Sequence, residues 1–377
     1  MIPYGKQIID SDDIAAVAAT LESDWLTTGP KVSEFESAVA RFCGASHGVA
    51  IANGTAALHA AYAALGVGPG DEVIVPTMTF AATANAAVYL GATAVFADVD
   101  DATLLIDPSK VEALITSKTK AIVGVDYAGQ SCDWDALSAI AKKHALRTVA
   151  DGAHAIGAEW NGKRVGTLAD LTTFSFHPVK HITTAEGGMI MTHDADLATR
   201  MRVFRNHGIV TDTRQREEKG TFEYEMVSLG YNYRLSDMQC ALGTSQLRKL
   251  PKWLERRRTI ARRYDGIFAK VDTVAPLAVQ SGANHAFHLY VVKLAPGIDR
   301  MSVFRALRAS GVAANVHYIP VHLHPFYRDR FQTRVGQCPI AEAAYARILS
   351  IPLWAGLDDH TVDNIAEKVI ACARQAA

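Results

Sequence analysis

The chain has 377 residues, of which 49% are hydrophobic, and its 38 lysines and arginines almost balance 39 aspartates and glutamates, for a formal net charge of -1 at pH 7. This length predicts about two domains, with enough apolar residues for a sizeable core. The even charge balance argues against a protein built mainly to bind nucleic acid or an anionic membrane.

The cysteines and the N-terminal residues indicate the cellular compartment of the protein. The five cysteines are scattered, their number is odd, and none forms a C-x-x-C pair. Such usage is typical of reduced thiols in a cytosol. The N-terminus lacks the apolar core of a signal peptide, and no apolar stretch is long enough to span a bilayer. We therefore expect a soluble, cytoplasmic protein.

The first thirty residues predict one amphipathic helix, capped by Asp10 or Ser11 and ending near Asp24. Its predicted apolar face consists of Ile14, Val17, Ala18 and Leu21. A turn-rich segment, 24–30, follows with an aromatic residue and two hydroxyls. Its Trp25 fits core packing as well as contact with a ligand.

From residue 48 onward, short β-rich runs alternate with helical ones. The predicted strands are 48–52, 72–76, 93–98, 121–126, 147–151, 171–175 and 189–192, and helical patterns occupy 55–65, 80–90, 108–115 and 133–144. This alternation predicts an α/β fold with a mostly parallel sheet flanked by helices. In that architecture, ligands bind beyond the carboxyl ends of the strands.

Several residues with chemical potential follow these strand ends. Asn53-Gly54-Thr55 opens a helix and suits a phosphate at the helix N-terminus, although such a triplet commonly caps a helix without any ligand. Phe80 fits either the face of a planar heterocycle or the core. Asp151 ends an apolar strand, where it either caps the next turn or serves a ligand. A P-loop and a convincing dinucleotide fingerprint are both missing from the sequence.

The stretch 173–188 contains a single lysine, Lys180, with mostly apolar or aromatic neighbours. Partial desolvation disfavours the charged form of a lysine, which lowers its pKa and makes the amine nucleophilic. A nucleophilic amine is what Schiff-base chemistry needs. An arbitrary lysine in a loop is more often simply solvated. The surrounding motif is therefore needed to distinguish a nucleophilic lysine from a solvated one.

Taken as a unit, the run Ser175-Phe-His-Pro-Val-Lys180-His-Ile-Thr-Thr-x-Glu186-Gly-Gly resembles the cofactor-lysine signature of the sugar-nucleotide aminotransferases of the DegT/DnrJ type. These are pyridoxal-phosphate (PLP) enzymes of fold type I, and the resemblance extends over nearly the whole chain. Related dehydratases have histidine in place of Lys180, so the lysine disfavours that activity. Ala185 stands where glycine is more usual, and a positive φ there would strain its backbone.

The resemblance implies cofactor-binding roles for Gly54, Thr55, Phe80, Asp151, His154, Ser175, Lys180 and Asn232. Lys180 would carry the cofactor, and Asp151 would keep the pyridine nitrogen protonated so that the ring acts as an electron sink. Asn232, in Gly-Tyr-Asn-Tyr-Arg, would reach the cofactor phosphate of the neighbouring subunit. A homodimer with shared active sites is therefore implied.

The same resemblance implies substrate contacts from Tyr4, Asp24, Trp25, Leu26, Thr27, His317 and Tyr318. The expected reaction moves an amino group from L-glutamate, through pyridoxamine 5'-phosphate (PMP), to the 4-keto group of a UDP-linked 6-deoxy sugar. A GDP-linked keto sugar as substrate, or a non-catalytic regulator that kept the fold, remains as an alternative.

The C-terminal part predicts a smaller α+β domain. We place the boundary near Leu250, which gives a PLP-binding domain at 1–250, including the N-terminal substrate-lining segment, and a small domain at 251–377. Strand 287–294, helix 302–308 and a final helix from Asp358 belong to the latter. A helix at 251–269 carries six basic residues, Lys252, Arg256, Arg257, Arg258, Arg262 and Arg263, which predict a solvated face.

Two further segments complete the sequence-based expectations. The polar stretch 211–220 predicts a mobile loop. His317, His322 and His324 lie close together, but their spacing is not that of a zinc site and no cysteine or carboxylate completes it. We therefore expect no metal site.

Overall fold

In the computed structural model, the alternating β-rich and helical runs form one large sheet flanked by helices. The structure describes residues 1–211, 214–216 and 220–377. Within these ranges the strands are β1 (His47–Ile51), β2 (Glu72–Pro76), β3 (Thr93–Ala97), β4 (Thr119–Val125), β5 (Arg147–Asp151), β6 (Glu159–Trp160), β7 (Lys163–Arg164), β8 (Leu171–Ser175), β9 (Gly188–Thr192), β10 (Val274–Pro276), β11 (Ala283–Asn284), β12 (Tyr290–Leu294) and β13 (Ile348–Ile351).

The helices of the described ranges are α1 (Ser11–Leu21), α2 (Pro30–Cys43), α3 (Gly54–Ala64), α4 (Ala82–Tyr89), α5 (Pro108–Val111), α6 (Trp134–Lys143), α7 (Ala195–Phe204), α8 (Asp237–Phe268), α9 (Arg300–Ala309), α10 (Pro325–Phe331), α11 (Pro339–Tyr345) and α12 (Asp359–Gln375). Short 3-10 turns occupy Glu112–Leu114, Tyr127–Gly129 and Val321–Leu323. The described helices include none that is long and apolar enough to cross a membrane. All five cysteines are buried and free.

The large sheet has the order β1-β9-β8-β5-β4-β2-β3 in the described chain. Neighbouring strands are parallel except where β9 pairs antiparallel with β1 and β8. Both faces of the sheet are covered, and the apolar residues Val73, Ile74 and Val75 of β2 are fully buried. The predicted α/β fold is confirmed, and the strand ends agree with the predictions within two residues.

Helix α1 shows one confirmed prediction and one error. Its cap is Asp10, whose carboxylate accepts the N–H of Asp12 at 3.0 Å. Its predicted apolar face is wrong, because Ile14 and Leu21 are 64% and 57% exposed. The buried face carries Asp13, whose carboxylate accepts from Ser245 and Gln246 of α8 at 2.6 Å each, together with Thr20. A carboxylate supplied with such donors is stable in the interior, so polar contacts orient this helix.

Helix α8 bears on two expectations for the C-terminal half. It continues through Pro251, so the proposed boundary near Leu250 lies within one continuous helix. Arg257 does not belong to a solvated face, because it is 3% exposed and donates to the carbonyls of Phe287 and Leu353 at 3.1 Å each. Burial lowers its pKa to about 10. Arg257 thus fixes α8 to two segments of the C-terminal part.

We retain the division into two domains as a proposal. Downstream of Ile260, buried side chains form a hydrophobic cluster of their own around the antiparallel sheet β10-β12-β13, with α9 and α12 packed together beside it. Helix α9 contains the predicted helix 302–308, and α12 is capped by Asp358. The predicted strand 287–294 begins only at Tyr290.

Two loop predictions have different outcomes. Ala185 has a φ of 65°, in the left-handed region where a residue with a Cβ costs about 1–3 kcal/mol, so the expected strain is present. Its N–H donates to the Thr183 hydroxyl at 2.9 Å, which helps to hold this turn. The predicted mobile loop 211–220 lies in part outside the described residues, at 212–213 and 217–219.

Candidate active site

A cavity of about 1000 Å³ lies where several strands of the large sheet end. Its wall includes residues that end or follow β1, β2, β4, β5 and β8. The sequence-predicted residues in this wall are Tyr4, Gly54, Thr55, Phe80, Asp151, His154, Ser175, Lys180, His317 and Tyr318. The sheet therefore brings together side chains from distant parts of the sequence, as its strand polarity requires.

Five predicted site residues lie outside this wall in the described part of the chain, namely Asp24, Trp25, Leu26, Thr27 and Asn232. Thr27 pairs with Ser236, and Asn232 pairs with Asn206. The neighbours of Asn232, Tyr231 and Tyr233, do line the cavity. Within one chain, these five residues thus do not line the cavity.

Lys180 lies on the turn that follows β8, and its N–H donates to the carbonyl of His177 at 2.9 Å. The side chain is half-buried and faces the cavity. Burial lowers the pKa of the Lys180 amine to about 8, while the negative charge of Asp151 opposes this shift. A larger fraction of the amine is therefore neutral, and nucleophilic, at neutral pH than in an ordinary lysine.

Asp151 ends β5 and is 6% exposed. Burial raises the pKa of this carboxyl, and hydrogen bonds from Thr83 and Ala153 together with the charge of Lys180 oppose the rise. The Thr83 hydroxyl donates to Oδ2 at 2.6 Å, and the Ala153 N–H donates to Oδ1 at 3.2 Å. These donors fix the orientation of the carboxylate and favour its charged form.

Thr83 is a residue that the sequence analysis missed. It is the second residue of α4, and its hydroxyl also pairs with that of Thr79 at 2.7 Å. The hydroxyl of Tyr62 binds its carbonyl at 3.0 Å, so the backbone is held as well. The repeated threonines around Phe80 were the available signal, but their link to Asp151 depends on which strands become neighbours.

The N-terminus of α3 supplies a site for a phosphate. Asn53 caps the helix and accepts the N–H of Ala56 at 2.8 Å, while Gly54 and Thr55 face the cavity. The first N–H groups of a helix have no intrahelical acceptor and lie at its positive end. Ser175 lies so close that a Cβ on Gly54 would come within 3.0 Å of its Cβ. The glycine thus allows the serine hydroxyl to approach the helix start.

The opposite side of the cavity is aromatic. Phe80 is 60% exposed, which excludes a core role, and its ring lies 5.9 Å from that of Tyr318. The Tyr318 hydroxyl pairs with His154 Nε2 at 3.1 Å. His317 Nδ1 pairs with the Ser350 hydroxyl at 2.8 Å, and burial lowers the pKa of His317 to about 4. These imidazoles act as neutral hydrogen-bonding groups.

The three histidines 317, 322 and 324 do not form a metal centre with one another. His322 is buried between the Thr77 hydroxyl at 2.6 Å and the Glu342 carboxylate at 3.0 Å. Across the residues that the structure describes, no three histidine, cysteine or acidic side chains are arranged to hold a metal ion.

The residues present fit pyridoxal phosphate. An acid at a strand end suits the pyridine nitrogen, an amine of lowered pKa suits the aldehyde, and a helix N-terminus beside a serine hydroxyl suits the phosphate. Phe80 projects into the cavity, where a planar ring would lie. These requirements are met by Asp151, Lys180, Thr55, Ser175 and Phe80 in one cavity.

Comparison with known proteins agrees with this geometry. Residues 7–370 match the model of the DegT/DnrJ/EryC1/StrS aminotransferase family. The chain belongs to this family. It is therefore a PLP-dependent sugar aminotransferase, which confirms the family, the enzyme class and the cofactor expected from the sequence.

Three relatives illustrate the similarity. The Bacillus subtilis spore coat polysaccharide biosynthesis protein SpsC is 42% identical over 98% of this chain and 96% of its own length. Helicobacter pylori PseC, an aminotransferase involved in the biosynthesis of pseudoaminic acid, superposes with a TM-score of 0.94 at 35% identity over 99% of each chain. Spr1654 from Streptococcus pneumoniae, in its PMP form, superposes with a TM-score of 0.95 at 33% identity over 100% of each chain.

The contact between Thr83 and Asp151 yields a test at the cofactor site. We expect Thr83→Val to weaken PLP binding by about 10-fold to 150-fold, since a hydrogen bond to a charged group contributes about 1.5–3 kcal/mol. Losing that bond raises the pKa of Asp151 further. As the pH is lowered, the variant should therefore begin to lose PLP affinity at a higher pH than the wild type does. Fluorescence titration of cofactor-free protein across a pH series measures both effects.

Thr172→Val is the matched control, because the Thr172 hydroxyl is buried and has no hydrogen-bond partner among the described residues. It should bind PLP like the wild type. Equal affinities of the Thr83 variant and the wild type at every pH would contradict the role of Thr83.

Proposed function

We propose that this enzyme transfers the amino group of L-glutamate to the C4 keto group of a UDP-linked 2-acetamido-2,6-dideoxy-hexos-4-ulose. The product would be UDP-4-amino-4,6-dideoxy-N-acetyl-β-L-altrosamine, in the pathway to pseudaminic acid. The observation that carries this proposal is the likeness to Helicobacter pylori PseC over nearly the full length of both chains. The opening Ile-Pro-Tyr-Gly-Lys-Gln and the run His317-Tyr-Ile-Pro-Val-His support it, because Tyr4, His317 and Tyr318 lie in the cavity wall.

The chain's own residues would perform the proton transfers. PLP, when bound, supplies a protonated ring that withdraws electrons from the α-carbon of the donor. Lys180 would first hold the cofactor covalently, and after release it would take the proton from the donor α-carbon as a general base. The same amine returns a proton when the keto sugar is the acceptor. Its lowered pKa suits both directions near neutral pH.

Asp151 and α3 would hold the cofactor during these steps. The Asp151 carboxylate is oriented by Thr83 and Ala153, and it would keep the ring nitrogen protonated. The N-terminus of α3 and the Ser175 hydroxyl bind the phosphate. A cavity of about 1000 Å³ is large for the cofactor alone, which leaves room for a sugar nucleotide beside it.

A homodimer with shared active sites forms part of the proposal. Asn232 lies outside its own cavity although Tyr231 and Tyr233 line it. Near this motif, Phe222, Met226 and Leu229 are 88%, 66% and 78% exposed, which is typical of a surface that a partner covers. Thr27 pairs with Ser236, which follows Asn232 by four positions. We therefore assign the segment Asp24, Trp25, Leu26 and Thr27, like Asn232, to the cavity of the neighbouring subunit.

The charge of the substrate agrees with this assembly. Lys180 is the one lysine or arginine in the described wall of the cavity, and its amine is committed to the cofactor. The diphosphate of a sugar nucleotide carries negative charges that need donors or cations. A second subunit that closes the cavity would supply them.

A second candidate substrate is another nucleotide-linked 4-keto-6-deoxy sugar. The relation to SpsC favours it, because that protein is named for spore coat polysaccharide and not for pseudaminic acid. Such an enzyme would keep every cofactor contact and differ only around the sugar and the nucleotide. For the location we propose the cytoplasm, since all five cysteines are free.

The substrate proposal is tested by assaying the purified enzyme with glutamate and either a UDP-linked or a GDP-linked 4-keto-6-deoxy sugar. We expect kcat/KM for the UDP-linked 2-acetamido sugar to be at least about 100-fold higher, because a site that binds polar groups rejects ligands that leave those groups unpaired. Mass spectrometry of the amino sugar product gives the readout. An equal or higher value for the GDP sugar would refute the UDP assignment.

The shared active site is tested by mixing two inactive variants. Lys180→Ala lacks the catalytic amine but can still bind PMP noncovalently, and Asn232→Ala lacks the proposed phosphate contact. If Asn232 serves the neighbouring subunit, a heterodimer of the two has one site with both lesions and one intact site. Co-refolding should then restore up to about a quarter of wild-type activity per subunit, since half of the dimers are mixed and each has one good site.

Each variant refolded alone is the control and should stay at its own low activity. Activity of the mixture that equals the average of the two separate variants would place Asn232 in the site of its own chain.

A further inference from the structure

A row of three buried imidazoles runs from the cavity wall into the protein. The ring of His154 lies 4.4 Å from that of His288 at an angle of 38°, and His288 lies 5.5 Å from His181. These histidines are 5%, 5% and 4% exposed in the same order. His154 lines the cavity, whereas His288 and His181 stand behind it, and the sequence assigned no role to either.

Each of these rings has an unused nitrogen. Nδ1 of His154, of His288 and of His181 is buried and has no hydrogen-bond partner within the described chain. A buried polar atom left in this state costs about 1–3 kcal/mol, so it indicates a partner formed in the working protein. Burial lowers the pKa of all three groups, so each is a neutral imidazole with one N–H.

The neighbours of His181 determine which of its two ring nitrogens carries the proton. Its Nε2 faces the carbonyl oxygen of Ala286 at 3.0 Å. Since a carbonyl only accepts, Nε2 carries the proton and Nδ1 of His181 is bare. His154 has no such fixed partner, because the Tyr318 hydroxyl at its Nε2 can either donate or accept. Its tautomer therefore depends on what meets its Nδ1.

The backbone of His288 is held in place on both sides. The Arg257 guanidinium donates to the carbonyls of Phe287 at 3.1 Å and of His288 at 3.4 Å. The N–H of Leu289 donates to the carbonyl of Ala128 at 3.1 Å. The backbone that carries the His288 imidazole is consequently fixed beside His154, and the Nδ1 atoms of both rings are buried without another partner in the described chain.

We propose that His288 is a positioning residue that pairs with His154 through their Nδ1 atoms and thereby locks one tautomer of His154. The tautomer decides whether His154 Nε2 or the Tyr318 hydroxyl is the donor in the bond between them. It thus sets the direction of hydrogen bonding that this wall presents to the cofactor and substrate. The inference rests on the proposed role of His154 at the cofactor.

The test compares His288→Leu, which fills the space without hydrogen bonding, with His288→Gln, which keeps a polar group there. We expect the leucine variant to bind PLP about tenfold more weakly, the equivalent of about 1.4 kcal/mol, and the glutamine variant to recover most of the loss. The pH midpoint of the visible band of the bound cofactor should shift in the leucine variant and return toward the wild type in the glutamine variant. Rescue by glutamine separates hydrogen bonding from mere packing.

His285→Leu is the matched control. His285 is a buried histidine three positions away, but its ring stacks on Phe287 at 3.9 Å and its Nδ1 accepts the N–H of Phe287 at 2.7 Å. It should leave PLP affinity and the pH midpoint unchanged. If the leucine variant of His288 behaves like this control, or if glutamine and leucine at 288 are equally impaired, the inference is overturned.

Two measurements keep the outcomes distinct. Nitrogen-15 NMR of histidine-labelled wild-type protein should show a single tautomer for His154, and a mixture of tautomers would overturn the inference even if a variant failed to fold. His154→Leu is titrated in parallel with PLP. Unchanged affinity in that variant would remove the proposed role of His154 itself, whereas a loss there without any effect at His288 would remove only the pairing.

Discussion

The opposing effects of burial on one lysine and one aspartate are the constraint on which this structure depends. Desolvation lowers the pKa of Lys180 and raises that of Asp151, so burial alone would neutralise both. Their mutual attraction opposes each shift. The hydroxyl of Thr83 and the N–H of Ala153 add further support for the carboxylate. The site therefore combines a carboxyl group supported by hydrogen bonds with a lysine amine of lowered pKa.

The fold serves this balance through the ends of its strands. Asp151 ends β5, and the turn with Lys180 follows the adjacent strand β8, so the pairing of two parallel strands sets the distance between the two groups. Helix α3 begins after β1 and points its N-terminus at the same cavity. The aromatic side comes from β2, through Phe80, and from the C-terminal segment of Tyr318, which His154 binds.

Much of this arrangement could be predicted from the sequence, because the signals were local. Apolar runs marked the strands, Asp10 and Asn53 marked helix starts, and the lysine motif carried the cofactor and the family. The misses at Thr83 and Arg257 involve partners distant in sequence. Thr83 matters only through its contact with Asp151, 68 positions away, and Arg257 is buried only because segments 287 and 353 fold over it.

The predicted buried face of helix α1 was wrong for the same reason, because a hydrophobic pattern does not report the hydrogen bonds of Asp13 to α8. The residues Asp24 to Thr27 and Asn232 represent a different limit. In the proposed homodimer their roles depend on a second chain, and no periodicity within one chain reports such a contact. The row of histidines behind the cavity likewise joins positions 154, 181 and 288, which no motif connects.

The most direct test of the central claim is the pH dependence of PLP attachment to cofactor-free protein, followed by the absorption band at about 400 nm. Only the neutral amine attacks, so the rate should rise with pH with a midpoint of about 8, the pKa of Lys180. Asp151→Asn should move the midpoint lower, because the carboxylate raises that pKa. A midpoint near the ordinary lysine value of about 10.4, or an equal band in Lys180→Ala, would contradict the account.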